Sequence, residues 1–124
     1  MGAKMMHLPE FWYSGSKKWG IASDLGFITE RLKWLSYENQ KIASEQYDEI
    51  YKSHINKGEV TLARKNANTM LNDFVKEFGI SKLDYQKLKA ANDDQAWIDT
   101  QVERLKQAQK TAKPRIEFRE RKRA

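Results

Sequence analysis

The sequence predicts an all-α fold, a small bundle of four to five helices with an irregular aromatic N-terminal arm and a basic C-terminal tail. Apolar residues recur at spacings of three and four through most of the chain. No useful stretch alternates as a strand would, apart from the short Ile116-Glu117-Phe118. Serine or aspartate precedes several of the apolar series and glycine follows two of them, as at helix starts and stops. With 124 residues, the chain is expected to form one domain.

Residues 1–22 are predicted to form the irregular arm, because Pro9, Gly15 and Gly20 interrupt any helix. The arm is nonetheless rich in large aromatic side chains, which a free tail would not normally contain. These are Phe11, Trp12, Tyr13 and Trp19. Covering one end of a small helical core is the favoured role for them, followed by a protein interface and then by stacking on unpaired bases.

Residues 23–110 are predicted to form the helical domain. Its first helix is expected to begin at Ser23 as the N-cap, with a face of leucine and isoleucine at three- and four-residue spacings. A second apolar series, residues 47–55, ends at Asn56-Lys57-Gly58, a typical helix stop. The pattern leaves open whether residues 24–55 form one helix or two separated near Ser36.

A third apolar series, residues 63–78, is expected to end at Gly79. The last helix is expected to begin at Asn92 or Asp93 and to end at Lys113-Pro114, because the residue before a proline avoids the helical region. Its apolar side consists of Trp97, Ile98, Val102 and Leu105.

Residues 73–90, DFVKEFGISKLDYQKLKA, resemble a helix-turn-helix in which Gly79 takes the left-handed position of the turn. Ser81 is expected to cap the second helix, with Leu83 and Leu88 directed inward. The residue four positions before the glycine is usually small, so Val75 departs from the motif. The side chains expected to contact bases or phosphates are Lys82, Gln86, Lys87 and Lys89. The alternative is an ordinary corner between two helices.

The excess positive charge lies at the C-terminal end of the chain. Residues 104–124 contain nine basic and two acidic side chains, a net charge of +7, whereas residues 1–103 carry −1. This distribution favours an anionic partner. Residues 111–124 are predicted to form the basic tail, which either contacts a polyanion or remains solvated. The expected phosphate contacts at this end are Arg104, Lys110, Lys113, Arg115, Arg119, Arg121, Lys122 and Arg123.

The sequence favours no catalytic role, no cofactor and no metal site. His7 and His54 lie 47 positions apart, and the chain has no cysteine. Asp99 and Glu103 lie on one helix face, as two carboxylates that hold a hard cation would. The helix dipole equally favours acidic side chains near the start of a helix, so the pair does not by itself indicate a metal site. No apolar run approaches the length of a membrane span, so a cytoplasmic protein is expected.

Together these patterns predict a small non-enzymatic accessory protein that binds nucleic acid, of a kind familiar from phages and plasmids. DNA is favoured over RNA, because no motif of a known RNA-binding module is present. The alternative is a protein-interaction module, an adaptor or inhibitor, that uses the arm's aromatic residues and an acidic partner surface. The thin apolar core is also compatible with a homo-oligomer.

Overall fold

A computed structural model of the protein describes residues 5–113, which are helical over most of their length. The five helices are α1 (Leu25–Leu32), α2 (Tyr37–Ile55), α3 (Val60–Phe78), α4 (Lys82–Ala91) and α5 (Gln95–Gln107). Over the described range strands are absent, and a single antiparallel bridge joins Ser16 to Ile21. The predicted all-α class and helix number are therefore confirmed.

The core lies among the first three helices. The two longest helices, α2 and α3, pack along each other, and α1 packs on α3. Alanines at 43, 63 and 67 are fully buried and let the helix backbones approach closely. The largest fully buried apolar side chains are Tyr47, Ile28, Leu32, Leu35, Leu71 and Ile98. α4 buries none of its residues and α5 buries Ile98, so these two helices contribute little to the buried core.

The connection between α1 and α2 settles the question that the sequence left open. Ser36 separates the two helices and caps α2, because its hydroxyl accepts a hydrogen bond from the Asn39 N–H at 3.2 Å. α1 begins at Leu25, with Asp24 at its N-cap in place of the expected Ser23. The Asp24 carboxylate makes no capping bond, because it binds Arg64 of α3.

The helix ends show where local signals suffice and where they fail. The predicted stop at Gly58 is confirmed, since this glycine has a positive φ of 77° just after α2. The predicted end of the last helix at Lys113-Pro114 is wrong, because α5 ends at Gln107. The physical reason is that the Gln109 side chain binds the backbone at Trp34 and Ser36, which draws the following residues away from the helix axis.

A polar stripe on α2 holds the N-terminal arm. Gln40, Ser44 and Asp48 recur every fourth residue and therefore share one helix face. Gln40 Oε1 accepts the His7 N–H at 2.9 Å, and the Ser44 hydroxyl donates to the His7 carbonyl at 3.1 Å. Asp48 accepts the N–H groups of residues 10 and 11 at 2.8 and 2.9 Å. Burial raises the pKa of Asp48, although these two hydrogen bonds act in the opposite direction.

Candidate functional site

The aromatic cluster of the arm divides into covered and exposed members. Trp12 packs against the core, and Tyr13 lies beneath the Arg64 guanidinium at 4.1 Å. Phe11 is 40% exposed, with the Lys52 ammonium 5.2 Å from its ring centre. Trp19 is 72% exposed. Of the four aromatics predicted as a protein interface, Phe11 and Trp19 are therefore exposed, while Trp12 and Tyr13 are partly buried.

Trp19 is carried by a small closed loop. Ser16 and Ile21 exchange two backbone hydrogen bonds of 2.8 and 2.9 Å, and Gly20 turns the chain with a φ of 66°. The Ser16 hydroxyl accepts the backbone N–H of Trp19 at 3.3 Å. The Lys18 ammonium lies 5.2 Å from the indole centre. An exposed tryptophan is thus presented on a fixed backbone, which lowers the conformational entropy cost of any contact it makes.

A partly buried polar network joins the start of α1 to α3. Arg64 donates two hydrogen bonds of 2.9 Å to the two carboxylate oxygens of Asp24, and Asn68 donates to the same carboxylate at 3.3 Å. The Tyr47 hydroxyl donates to Asn68 at 2.6 Å. Burial raises the pKa values of Tyr47 and Tyr51, and the hydrogen bond to Asp24 raises the pKa of Arg64. The network fixes the arm and α1 on α3, which is a structural role.

His54 also has a structural role, since both ring nitrogens hold the connection between α2 and α3. Its Nδ1 lies 2.9 Å from Glu59 Oε1, and its Nε2 lies 2.9 Å from Asn66 Nδ2. With the Asn66 amide donating to Nε2, the ring proton lies on Nδ1 and is donated to Glu59. His54 is therefore held by hydrogen bonds on both ring nitrogens.

The acids at the last helix engage neighbours on the same helix. Asp99 accepts a 2.8 Å hydrogen bond from Gln95, and Glu103 lies 4.0 Å from the Lys106 ammonium. In the part of the chain that the structure describes, no three histidine or carboxylate side chains come together as metal ligands would. None of the described helices is long and apolar enough to cross a membrane.

The turn between α3 and α4 differs from the one expected for residues 73–90. Gly79 has φ −84° and ψ 175°, an extended conformation, so the expected left-handed glycine is wrong. A Cβ at this position would lie 2.7 Å from the Val75 carbonyl oxygen and 2.9 Å from Val75 Cγ1. Glycine is needed here for space, and Val75, which departs from the motif, contributes to the crowding. Ile80 is buried, and its N–H donates to the Trp34 carbonyl at 3.2 Å.

α4 begins as predicted, because the Ser81 hydroxyl accepts the Asp84 N–H at 3.0 Å. The helix packs on α5 and contacts the α1–α2 connection through Tyr85, whose ring lies edge-on to Trp34 at 5.1 Å. Leu83 is 59% exposed, so the expectation that it faces inward is wrong. All four side chains predicted to contact nucleic acid on this helix are exposed: Lys82, Gln86, Lys87 and Lys89. The helix-turn-helix itself stays a prediction.

The segment that follows α5 returns to the core. Gln109 donates to the Trp34 carbonyl at 2.7 Å and accepts the Ser36 N–H at 2.8 Å. Asn39 is fully buried and donates to the Lys110 carbonyl at 3.0 Å. The Asn39 side-chain oxygen accepts the N–H of the buried Ala112 at 2.7 Å. Residues 109–112 are therefore fixed against the start of α2.

This anchored segment places two predicted contact residues beside the end of α3. Lys110 and Lys113 are exposed and line the same groove as Glu77 and Phe78. Arg104 on α5 is also exposed. The remaining predicted contacts lie outside the described residues: Arg115, Arg119, Arg121, Lys122 and Arg123.

The exposed cations of α4 and of residues 104–113 are also alike in that they form no ion pairs with the described carboxylates. The salt bridges among residues 5–113 are formed by Lys33, His54, Arg64 and Lys106, each with a carboxylate. Within that range, the candidate cations therefore have no carboxylate partner: Lys82, Lys87, Lys89, Arg104, Lys110 and Lys113.

Comparison of the chain with family models, with curated proteins and with solved structures finds no match in any of the three.

Sequence reasoning missed the residues that position these surfaces. The sequence does contain a pattern for three of them: a polar stripe at four-residue spacing lies on a helix that also carries an apolar stripe, at Gln40, Ser44 and Asp48. Asn39 and Gln109 gave no such signal, because they lie 70 positions apart and meet only in the folded chain.

Proposed function

We propose that the protein is a small non-enzymatic accessory protein that binds nucleic acid, with DNA as the first choice. The observation that carries this proposal is the set of exposed cations without carboxylate partners on α4 and on residues 104–113. Both elements adjoin the C-terminal end of α3, since α4 follows it through the turn at Gly79 and Lys110 lines a groove with Phe78.

The physical basis is the release of counterions from the phosphate backbone. A cation without a carboxylate partner can neutralise a phosphate without first breaking an ion pair, and each neutralised phosphate releases condensed counterions. A cation such as Arg64, held by two hydrogen bonds to Asp24, would lose those bonds on turning to a phosphate. The unpaired set therefore supplies the favourable contacts.

The proposed contacts have two parts. Lys82, Gln86, Lys87 and Lys89 contact the duplex from α4, where lysine binds phosphate oxygens and glutamine is able to pair with a base edge. Lys110 in the anchored segment and Lys113 just after it begin the basic C-terminal part of the chain, whose further arginines add sequence-independent attraction.

Fluorescence anisotropy with a labelled duplex tests the part played by α4. The double variant Lys87→Ala/Lys89→Ala is expected to bind about tenfold or more weakly than the unchanged protein in dilute buffer. The matched control is Lys41→Ala/Lys57→Ala, which removes the same charge from exposed positions on α2 and the α2–α3 turn. An equal loss in both variants would show that net charge alone matters, and the role of α4 would be refuted.

A protein-interaction module is the second candidate, and the exposure of Trp19 favours it. A side chain that is 72% exposed on a closed loop resembles the aromatic residues that dominate protein interfaces. Affinity capture from lysate with and without nuclease separates the two functions. A polypeptide that stays bound after nuclease treatment, and is lost with Trp19→Ala, supports this candidate. Capture that nuclease abolishes supports nucleic-acid binding.

A further inference from the structure

A groove of about 460 Å³ lies between α2, the C-terminal end of α3 and residues 110–113. Phe74 and Phe78 supply its aromatic wall, with ring centres 4.9 Å apart and ring planes at 44° to each other. Gln46 lines it from α2, and Glu77 lines it from α3. Its volume falls within the range of small-molecule sites in proteins, which is roughly 300 to 1,000 Å³.

The Gln46 amide is the most unusual group in the groove. The residue is 9% exposed, and its Oε1 is buried without a hydrogen-bond donor. Among the side-chain nitrogen and oxygen atoms buried within residues 5–113, it is the one atom that lacks a partner. Buried acceptors are normally satisfied, so an exception on the wall of a groove is suited to a donor carried by a ligand. Because this oxygen is buried, its contact with a ligand in the groove requires the Gln46 side chain to rotate.

The charged groups of the groove define the rest of the ligand. Lys110 and Lys113 stand on one side, exposed and without a carboxylate partner in the described part of the chain. The Glu77 carboxylate contributes an acceptor that no described cation neutralises. A ligand complementary to these groups carries a flat apolar face, hydrogen-bond donors for Gln46 and Glu77, and a negative charge.

We propose that this groove binds one unpaired nucleotide, either a free nucleoside monophosphate or a single unit of a nucleic-acid strand. The base packs on Phe78, and its amino or imino N–H donates to Gln46. The sugar hydroxyls donate to Glu77, and the phosphate is bound by Lys110 and Lys113. The inference rests on the proposed nucleic-acid function, and it goes further because a base stacked within a duplex cannot enter the groove.

Titration calorimetry of the full chain with AMP and CMP tests the proposal, with ribose 5-phosphate and inorganic phosphate as further probes. Both nucleotides are expected to bind at least about tenfold more tightly than ribose 5-phosphate, because the base supplies the contacts with Phe78 and Gln46. Nucleotides that bind no better than phosphate alone would overturn the proposal. An unphosphorylated single-stranded oligonucleotide that competes with AMP identifies a strand as the source, and failure to compete identifies the free nucleotide.

Gln46→Leu separates a binding role from a structural one. This variant removes the amide at nearly constant volume, so it is expected to weaken AMP binding about tenfold while the thermal midpoint stays equal or rises. Unchanged AMP affinity in Gln46→Leu would overturn the proposal. Lys113→Ala, at an exposed position, is expected to weaken AMP binding by a similar factor, with Lys57→Ala as the matched control. It keeps the test decisive even where Gln46→Leu folds poorly.

The outcomes distinguish this groove from the broader proposal. Duplex binding that depends on Lys87 and Lys89, together with no AMP binding, overturns the groove and leaves the proposed function in place. AMP binding that depends on Gln46, together with no duplex binding, supports the groove and refutes the contact of α4 with DNA.

Discussion

Replacement of Asn39 by alanine is the most informative perturbation of this fold. Asn39 is fully buried at the start of α2, and its side chain holds residues 109–112 through both its donor and its acceptor. The segment it holds carries Lys110 and leads to Lys113, so Asn39, together with Gln109, fixes the position of this part of the chain.

The size of the effect follows from the hydrogen bonds lost. Asn39→Ala leaves the N–H of Ala112 without its acceptor at 2.7 Å, and Ala112 is 5% exposed, so water reaches it poorly. A buried donor left unsatisfied costs about 1–3 kcal/mol. The Lys110 carbonyl loses its donor as well, and a small cavity forms. A fall of about 2–4 kcal/mol in the free energy of unfolding is therefore expected.

Urea unfolding, followed by tryptophan fluorescence, measures this loss, and amide hydrogen exchange at Ala112 locates it. Exchange at Ala112 should accelerate more than exchange at the buried amides of α3. Asn56→Ala is the matched control, because Asn56 is exposed after α2, and it should change stability by less than about 0.5 kcal/mol. A loss below about 0.5 kcal/mol in Asn39→Ala, with unchanged exchange at Ala112, would refute the reasoning.

Three further predictions concern the core and the turn. Gly79→Ala should cost about 1–3 kcal/mol in urea unfolding, because its Cβ would lie 2.7 Å from the Val75 carbonyl oxygen, and a cost near zero would contradict that crowding. Burial raises the pKa of Tyr47 above its usual value of 10.0. As the pH rises above about 10, the tyrosine ionises in the unfolded chain before it does in the folded one, so the stability that the neutral Tyr47 contributes is lost. The urea midpoint should therefore fall as the pH rises above about 10, and this fall should be smaller in Tyr47→Phe; an equal fall in both proteins would count against the assignment. Trp12→Ala should destabilise the protein by about 2 kcal/mol or more and Trp19→Ala by less than about 0.5 kcal/mol, whereas equal losses would contradict the division of the aromatic cluster.

Local signals in the sequence were enough to predict the all-α class and several of the helix ends. The periodicity of α3, the serine cap of α4 and the glycine after α2 each act within a few residues, so a window of sequence contains the whole cause. The end of α5 could not be predicted in this way. It depends on Gln109 meeting Trp34 and Ser36, and that contact exists only in the folded chain.

The candidate site was predictable to a lesser extent. Exposure of the lysines on α4 follows from their charge, but the exposure of Leu83 does not, because it depends on how little of α4 the core covers. The groove could not be predicted from the sequence either. Gln46 is unremarkable in sequence, and it becomes a candidate ligand-binding residue only when packing buries its amide without a donor.

The central claim is that the unpaired cations bind phosphate groups, and the salt dependence of duplex binding tests it most directly. Affinities measured from about 50 to 200 mM salt should give a log–log slope of about −3 or steeper, since each neutralised phosphate contributes about −0.9. The slope should become shallower by about 2 in Lys87→Ala/Lys89→Ala. A slope near zero, or no complex with DNA at the lowest salt, would contradict the account.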